Sequence, residues 1–279
     1  MIILKTASAI QDKVMNFRKN GMKIGFVPTM GALHEGHISL IEQAIKSNDI
    51  TVCSIFVNPT QFNNPEDFNK YPSTIENDID MLEAAGCDIV YIPSVEEIYP
   101  KDFVQPHYDL GDLETKLEGK YRPGHFQGVC MVVEILLRSI PCHILYLGQK
   151  DYQQCMVIEK MIQLTGLDVQ LVICPTVREA NGLAMSSRNR RLSEAEKTNA
   201  LVIFESMQII KNQLHSEVID KLIQDATERL ARHGFQIDYI ALTDRTLHDI
   251  QVWNGADAVV VLIAATINQV RLIDNMTID

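Results

Sequence analysis

What these 279 residues lack removes whole classes of protein. No apolar run approaches the roughly 18 residues of a membrane span. The longest, Ala258 to Ala265, has the length of a buried strand. The opening residues Met-Ile-Ile-Leu-Lys-Thr offer no basic stretch followed by a sustained apolar one, so no signal peptide is read and a cytoplasmic setting is expected. The six cysteines (Cys53, Cys87, Cys130, Cys142, Cys155 and Cys174) include no Cys-x-x-Cys pair, and several lie in apolar runs such as Val52-Cys53-Ser54-Ile55. They read as free buried thiols rather than disulfides or zinc ligands. Basic charge is scarce: 25 Lys and Arg stand against 36 Asp and Glu, a formal net charge of −11, which disfavours nucleic acid as a partner and favours small molecules. Also missing are the Gly-x-x-x-x-Gly-Lys-Ser/Thr phosphate loop, the Gly-x-Gly-x-x-Gly dinucleotide fingerprint and the Gly-x-Ser-x-Gly elbow of serine hydrolases.

What is present begins with strand and helix patterns in alternation. Apolar strand patterns at 23–28, 50–57, 88–92, 143–147 and 168–173 alternate with helical patterns at 38–47, 74–86, 127–139 and 151–165. Near-continuous apolar strands in that order predict a doubly wound parallel sheet, α/β in class, with ligands at the carboxyl ends of the strands. After Pro175 the texture changes. Ser193-Glu-Ala-Glu196 is a capping-box pattern opening a helix to about residue 211, a second helix covers 217–233, and strands follow at 236–242, 258–264 and 268–273. Two domains are therefore expected: residues 1–176, and a smaller α+β domain over 177–279.

The sharpest motif is Pro28-Thr-Met-Gly-Ala-Leu-His-Glu-Gly-His37, a His-x-Gly-His turn between a strand and a helix. His34 and His37, three residues apart, share one face of the first helical turn, where free N–H groups and the macrodipole favour an anion such as a triphosphate. Gly36 between them lets a phosphate approach the backbone. Four further segments are dense in polar groups. Phe56-Val-Asn-Pro-Thr-Gln-Phe62 places the amides of Asn58 and Gln61 at a strand end, although Asn-Pro is also an ordinary turn former. Gly148-Gln-Lys-Asp-Tyr-Gln-Gln154 puts Lys150 at a helix start, which suits a bound anion, while Asp151 there also fits a plain capped helix. Ala184-Met-Ser-Ser-Arg188 offers two hydroxyls and a guanidinium as a phosphate clamp. Leu117-Glu-Gly-Lys-Tyr-Arg-Pro-Gly-His-Phe126 is a glycine-containing loop with Arg122 and His125. The polar segment 63–78 fits a lid or a surface connection equally. No residue set has metal-cage spacing, so Mg²⁺ is expected to arrive with a nucleotide, with Asp78 or Asp151 as the candidate carboxylate.

In register along the whole chain, and closed by Arg271-Leu-Ile-Asp-Asn275, these motifs resemble the pantothenate synthetase (pantoate–β-alanine ligase) family of the His-x-Gly-His nucleotidyltransferase-like superfamily. The resemblance implies a Rossmann-like N-terminal domain, a small C-terminal domain closing over the ATP site, and a homodimer. It implies condensation of pantoate with β-alanine, with ATP giving AMP and pyrophosphate through an acyl-adenylate. By the same resemblance Met30, Gly31, Ala32, Leu33, His34, Glu35, Gly36 and His37 contact ATP, as do Gly148, Gln149, Lys150, Asp151, Val177, Met185, Ser186, Ser187 and Arg188. His37, His34, Lys150 and Arg188 are the catalytic set, with His37 the family's general acid. Gln61 and Gln154 hold pantoate, with Pro28, Thr29, Asn58, Tyr71 and Arg122 around the two organic substrates and Glu118 near them. Gln149 stands where many members carry Glu, and Leu147 where some carry Phe. Another small-molecule nucleotidyltransferase of the superfamily, or a non-catalytic nucleotide-binding protein, would share the turn.

Overall fold

The computed structural model describes residues 1–63, 68, 71–72 and 74–279, and the chain divides into two compact units. The first comprises Met1–Gly148 and Gln153–Pro175, the second Gln149–Tyr152 and Thr176–Asp279.

The first unit is a six-stranded, wholly parallel sheet of β1 (Ile2–Leu4), β2 (Ile24–Thr29), β3 (Ile50–Ile55), β4 (Ile89–Tyr91), β5 (Ile144–Gly148) and β6 (Gln170–Cys174), in the order β1-β4-β3-β2-β5-β6. Its longer helices are α1 (Ala7–Lys19), α2 (Glu35–Ser47), α3 (Ile75–Ala84), α4 (His125–Ser139) and α5 (Tyr152–Thr165). Alternate strand residues go to opposite faces. Phe26, Val52 and Leu145 join α1, α4 and α5 in one core, whereas Val27, Cys53 and Tyr146 join α2 and α3 in another. Both faces are thus covered, which is why the strands read as unbroken apolar runs. The sheet order reverses direction between β2 and β5, so their carboxyl ends flank the topological switch point at which such sheets bind ligands. Pairing between these strands ends at Phe26 with Leu145, two residues before Pro28, whose missing N–H therefore falls beyond that ladder.

The alternation read from sequence begins one unit late: β1 and α1, in the first 19 residues, precede it. The segment 117–126 contains a single helical turn, Glu118–Tyr121, entered through Leu117 at φ 46°, and α4 starts at His125 rather than 127.

The second unit stacks α6 (Glu194–Gln213) and α7 (Ile219–Arg232) on the antiparallel sheet β7 (Gln236–Thr243), β8 (Val259–Ile267) and β9 (Val270–Ile278). The apolar run Ala258 to Ala265 forms most of β8, the middle strand. Ser193 and Glu196 make the reciprocal bonds of a capping box at the start of α6. All six cysteines are free and buried, and burial raises the Cys53 and Cys87 thiols well above their ordinary value, so they remain unreactive thiols. Among the described residues no helix is long and apolar enough to cross a membrane.

Candidate active site

In the first unit the histidine turn is built by its own backbone and one distant carboxylate. Gly31 takes φ 77°, a conformation open to glycine, and Ala32 follows at φ 50°, which a side chain disfavours. Asp78, on α3 and fully buried, holds this bend: Ala32 N–H donates to Oδ2 and Leu33 N–H to Oδ1, each at 2.9 Å, while Thr74 Oγ1 donates to Oδ1 at 3.0 Å. Asp78 is expected from sequence as a magnesium carboxylate. Its oxygens instead fix the turn, and among the described residues no cluster of His, Cys, Asp or Glu could hold a metal ion.

His34 is the N-cap of α2 rather than a residue of its first turn. Its Nδ1 accepts from Gly36 N–H at 3.2 Å, and His37 Nδ1 accepts from His34 N–H at 3.3 Å. The rings lie 4.1 Å apart, centroid to centroid. An imidazole whose Nδ1 accepts carries its proton on Nε2. The cap therefore sets both rings in the tautomer that makes Nε2–H the donor, at a helix end that already attracts anions. Glu35 is exposed, and Gly36 and His37 are half-buried. Thr29, behind the turn, is occupied structurally, donating to Ser54 O at 2.8 Å and accepting from Gly31 N–H.

Asn58 is bonded within the protein. It is 1% exposed, and its Nδ2 donates to Gln61 Oε1 and Gly128 O while Oδ1 accepts from Tyr99 OH at 2.8 Å and from Thr60. Its polar atoms are committed inside the protein, where its amide orients Gln61. Burial pushes the Tyr99 phenol up to about 12, keeping it a donor to Asn58. With Oε1 taken, Gln61 turns its Nε2 toward Met30 Sδ, 2.8 Å away. The Gln61 carbonyl accepts from His125 Nδ1 at 2.8 Å and from Arg122 at 3.4 Å. Gly128 makes this packing possible: a Cβ there would lie 2.5 Å from Thr60 O. Met30, Asn58, Gln61, Arg122 and His125 thus form one neighbourhood at the ends of β2 and β3. Glu118 is buried, its N–H donating to Gln153 Oε1 at 2.9 Å; Gln153 also holds the carbonyls of Leu113 and Lys116 and went unnoticed in the sequence. Gln154, next along, is half-buried on the first turn of α5. Tyr71 packs edge-on against Phe62, and the rest of the lid candidate 63–78 includes 64–67, 69–70 and 73, which lie outside the described residues.

In the second unit Gln149–Asp151 form one 3₁₀ turn after Gly148, the last residue of β5. Asn275 Nδ2 donates to the carbonyls of Gln149 (2.9 Å) and Lys150 (2.8 Å), and Gln149 Nε2 donates to Asn275 Oδ1 and Thr277 Oγ1. Val177 and Met185 bracket a small loop closed by Met185 N–H to Val177 O at 3.0 Å and by an Arg178–Ala184 bridge. Ser186 caps the 3₁₀ turn Ser187–Arg191, accepting from Arg188 N–H, and buried Asn189 ties that turn to Glu179 and Ala184. Arg178 meets Asp274 bidentately at 2.5 and 3.0 Å and lies over the Phe204 ring. Burial raises the Asp274 carboxyl above the usual carboxylate range while the guanidinium pulls it back. Asp274 and Asn275 stand in the Arg-Leu-Ile-Asp-Asn segment that closes the chain's pattern, where motif reading assigns them no role.

The chain is similar to known proteins over almost its full length. Residues 2–277 match the family model described as pantoate-beta-alanine ligase. The pantothenate synthetase of Bacteroides fragilis is 41% identical over 281 residues, covering 99% of this chain and 98% of that one. The pantothenate synthetase structure from Thermus thermophilus is 36% identical and superposes with a TM-score of 0.92 over 99% of both chains. The pantoate-beta-alanine ligase of Francisella tularensis, complexed with beta-gamma ATP and beta-alanine, is 37% identical, with a TM-score of 0.80 over 99% of this chain and 97% of that one. With its parallel sheet, its histidine turn at the switch point and this similarity from end to end, the chain belongs to the pantoate–β-alanine ligase family.

Proposed function

We propose that this chain condenses (R)-pantoate with β-alanine, using ATP and releasing AMP and pyrophosphate. The observation that carries the site assignment is the reciprocal capping of His34 and His37, which presents two Nε2–H donors at the start of α2. A carboxylate is a poor acylating agent, so it must first be activated. A pantoate carboxylate oxygen attacks the α-phosphorus of ATP, the bond to the β-phosphate oxygen breaks, and pyrophosphate leaves. The product is a pantoyl-adenylate. Negative charge moves onto phosphate oxygens in this step, and His34, His37, Lys150, Ser186, Ser187 and Arg188 are the donors assigned to stabilise it, with His37 as general acid toward the departing pyrophosphate. The β-alanine amine then attacks the acyl carbon, AMP leaves with the former anhydride oxygen, and the nitrogen sheds a proton.

Gln61, its amide aimed by Asn58, is assigned to pantoate together with Gln154, and Arg122 to the same neighbourhood. Magnesium would enter bound to the ATP phosphates, neutralising their charge. The protein works as a homodimer in the cytoplasm on this reading, and light scattering checks the first part.

The test incubates purified protein with ATP, Mg²⁺ and pantoate, with and without β-alanine, and identifies products by mass. Pantothenate and AMP in equal amounts, only with both organic substrates, support the reading. Nucleotide transfer to an alcohol or phosphate would replace it with another nucleotidyltransferase activity, and no turnover would leave a nucleotide-binding protein.

A further inference from the structure

The segment Arg271–Asn275 lies on β9, and none of its residues takes part in the steps above. Two of them are nevertheless polar and buried: Asp274 is 6% and Asn275 3% exposed. Such burial is unfavourable unless the polar atoms find partners, and here they do. The partners of Asn275 are the carbonyl oxygens of Gln149 and Lys150 and the Gln149 amide. The Gln149 carbonyl belongs to the peptide plane that precedes Lys150, and the Lys150 carbonyl to the plane that follows it. One side-chain amide therefore pins both planes flanking the lysine, and with them the direction in which its side chain leaves the backbone. A lysine reaches its target on a flexible four-carbon stem, so its aim depends on that anchor. Asp274 acts on the other segment. It holds Arg178, which also donates to Gly182 O at 3.2 Å and to Asn275 O at 3.2 Å, inside the loop that leads to Ser186–Arg188.

We propose that Asn275 is a positioning residue that sets where the Lys150 ammonium meets the ATP phosphates. The proposal rests on the reading of Lys150 as an ATP-contacting residue.

Pantoate-dependent exchange of labelled pyrophosphate into ATP isolates the adenylation step. It is measured for the wild type, Lys150→Ala, Asn275→Ala and the double variant, alongside the KM values for ATP and β-alanine. The expected result for Asn275→Ala is a loss of about 10- to 100-fold in exchange with a raised KM for ATP, the scale of a small misplacement of a reacting group. The KM for β-alanine should stay within about twofold, and in the Lys150→Ala background the same change should cost less than about threefold, because positioning an absent ammonium has no value. Losses that multiply fully in the double variant, or fall equally on ATP and β-alanine, mark a merely structural role and overturn the proposal alone. Ordinary exchange by Lys150→Ala overturns the reading of Lys150, and the proposal with it. Should Asn275→Ala fail to fold, Asn275→Ser, which keeps a shorter donor at that position but not the two-pronged amide, carries the same comparison. A loss of about 3- to 10-fold, absent in the Lys150→Ala background, is then expected, and no loss overturns the proposal.

Discussion

The two units hold their candidate site segments by opposite chemistry. In the first, a buried carboxylate gathers backbone donors: Asp78 accepts from the N–H groups of Ala32 and Leu33 and so keeps a left-handed alanine in place before a helix start. In the second, a buried amide gathers backbone acceptors: Asn275 donates to the carbonyls of Gln149 and Lys150. Asp78 takes up the two N–H groups of the bend that precedes α2, whereas a neutral amide takes up the two carbonyls on either side of Lys150.

The comparison breaks most visibly at the ion pair beside Asn275. Arg178→Ala leaves Asp274 buried without its counter-ion and should cost about 3–5 kcal/mol of unfolding free energy, read by denaturant titration. Burial holds the folded pKa of Asp274 above its unfolded value, so the fold binds the proton more tightly than the unfolded chain and stability falls as pH rises through that interval. The deficit of Arg178→Ala should therefore shrink as the pH is lowered toward the carboxylate range. Asp78→Ala comes next: two buried N–H groups lose their acceptor and Ala32 loses its restraint, an expected ~2–4 kcal/mol by thermal unfolding together with a fall in turnover of at least ~100-fold. If Asp78→Ala unfolds the protein no more easily than a surface change, the account of the turn is wrong.

Two smaller substitutions sharpen the contrast within the first unit. Gly128→Ala drives a methyl against Thr60 O and should cost about 1–3 kcal/mol while raising the KM for pantoate, because the 59–61 turn carries Gln61. Tyr99→Phe removes one of the donors on Asn58 Oδ1; about 0.5–1.5 kcal/mol and a modest rise in the same KM are expected, with the KM for ATP unchanged.

Much of this architecture was legible because it is periodic. Strands buried on both faces, such as β2 and β3, announce themselves as apolar runs, and the Ser193–Glu196 box is a local pattern with a local cause. The His-x-Gly-His turn was legible for the same reason, although its first histidine proved to be the cap itself. What escaped depends on contacts made far along the chain. Asp78 stands in the polar string Glu76-Asn-Asp and reads as a carboxylate for Mg²⁺; only its spacing of four from buried Leu82 hints that it faces inward. Asn58 advertises two hydrogen-bonding groups whether they serve a substrate or, as here, Gln61, Gly128, Thr60 and Tyr99. Gln153 and Gln154 are indistinguishable as letters, yet the first is spent on the 113–118 segment and the second is half-buried at the helix start.

The excursion of Gln149–Tyr152 has a consequence for how such a gene can be recombined. The chain leaves the parallel-sheet unit after Gly148, contributes four residues to the other unit and returns at Gln153, long before the main crossing at Pro175. A crossover placed at the obvious seam near residue 175 would graft a foreign β9 beneath a resident Gln149–Lys150. Chimaeras between relatives should then inherit activity only when positions 149–152 and 274–277 come from the same parent.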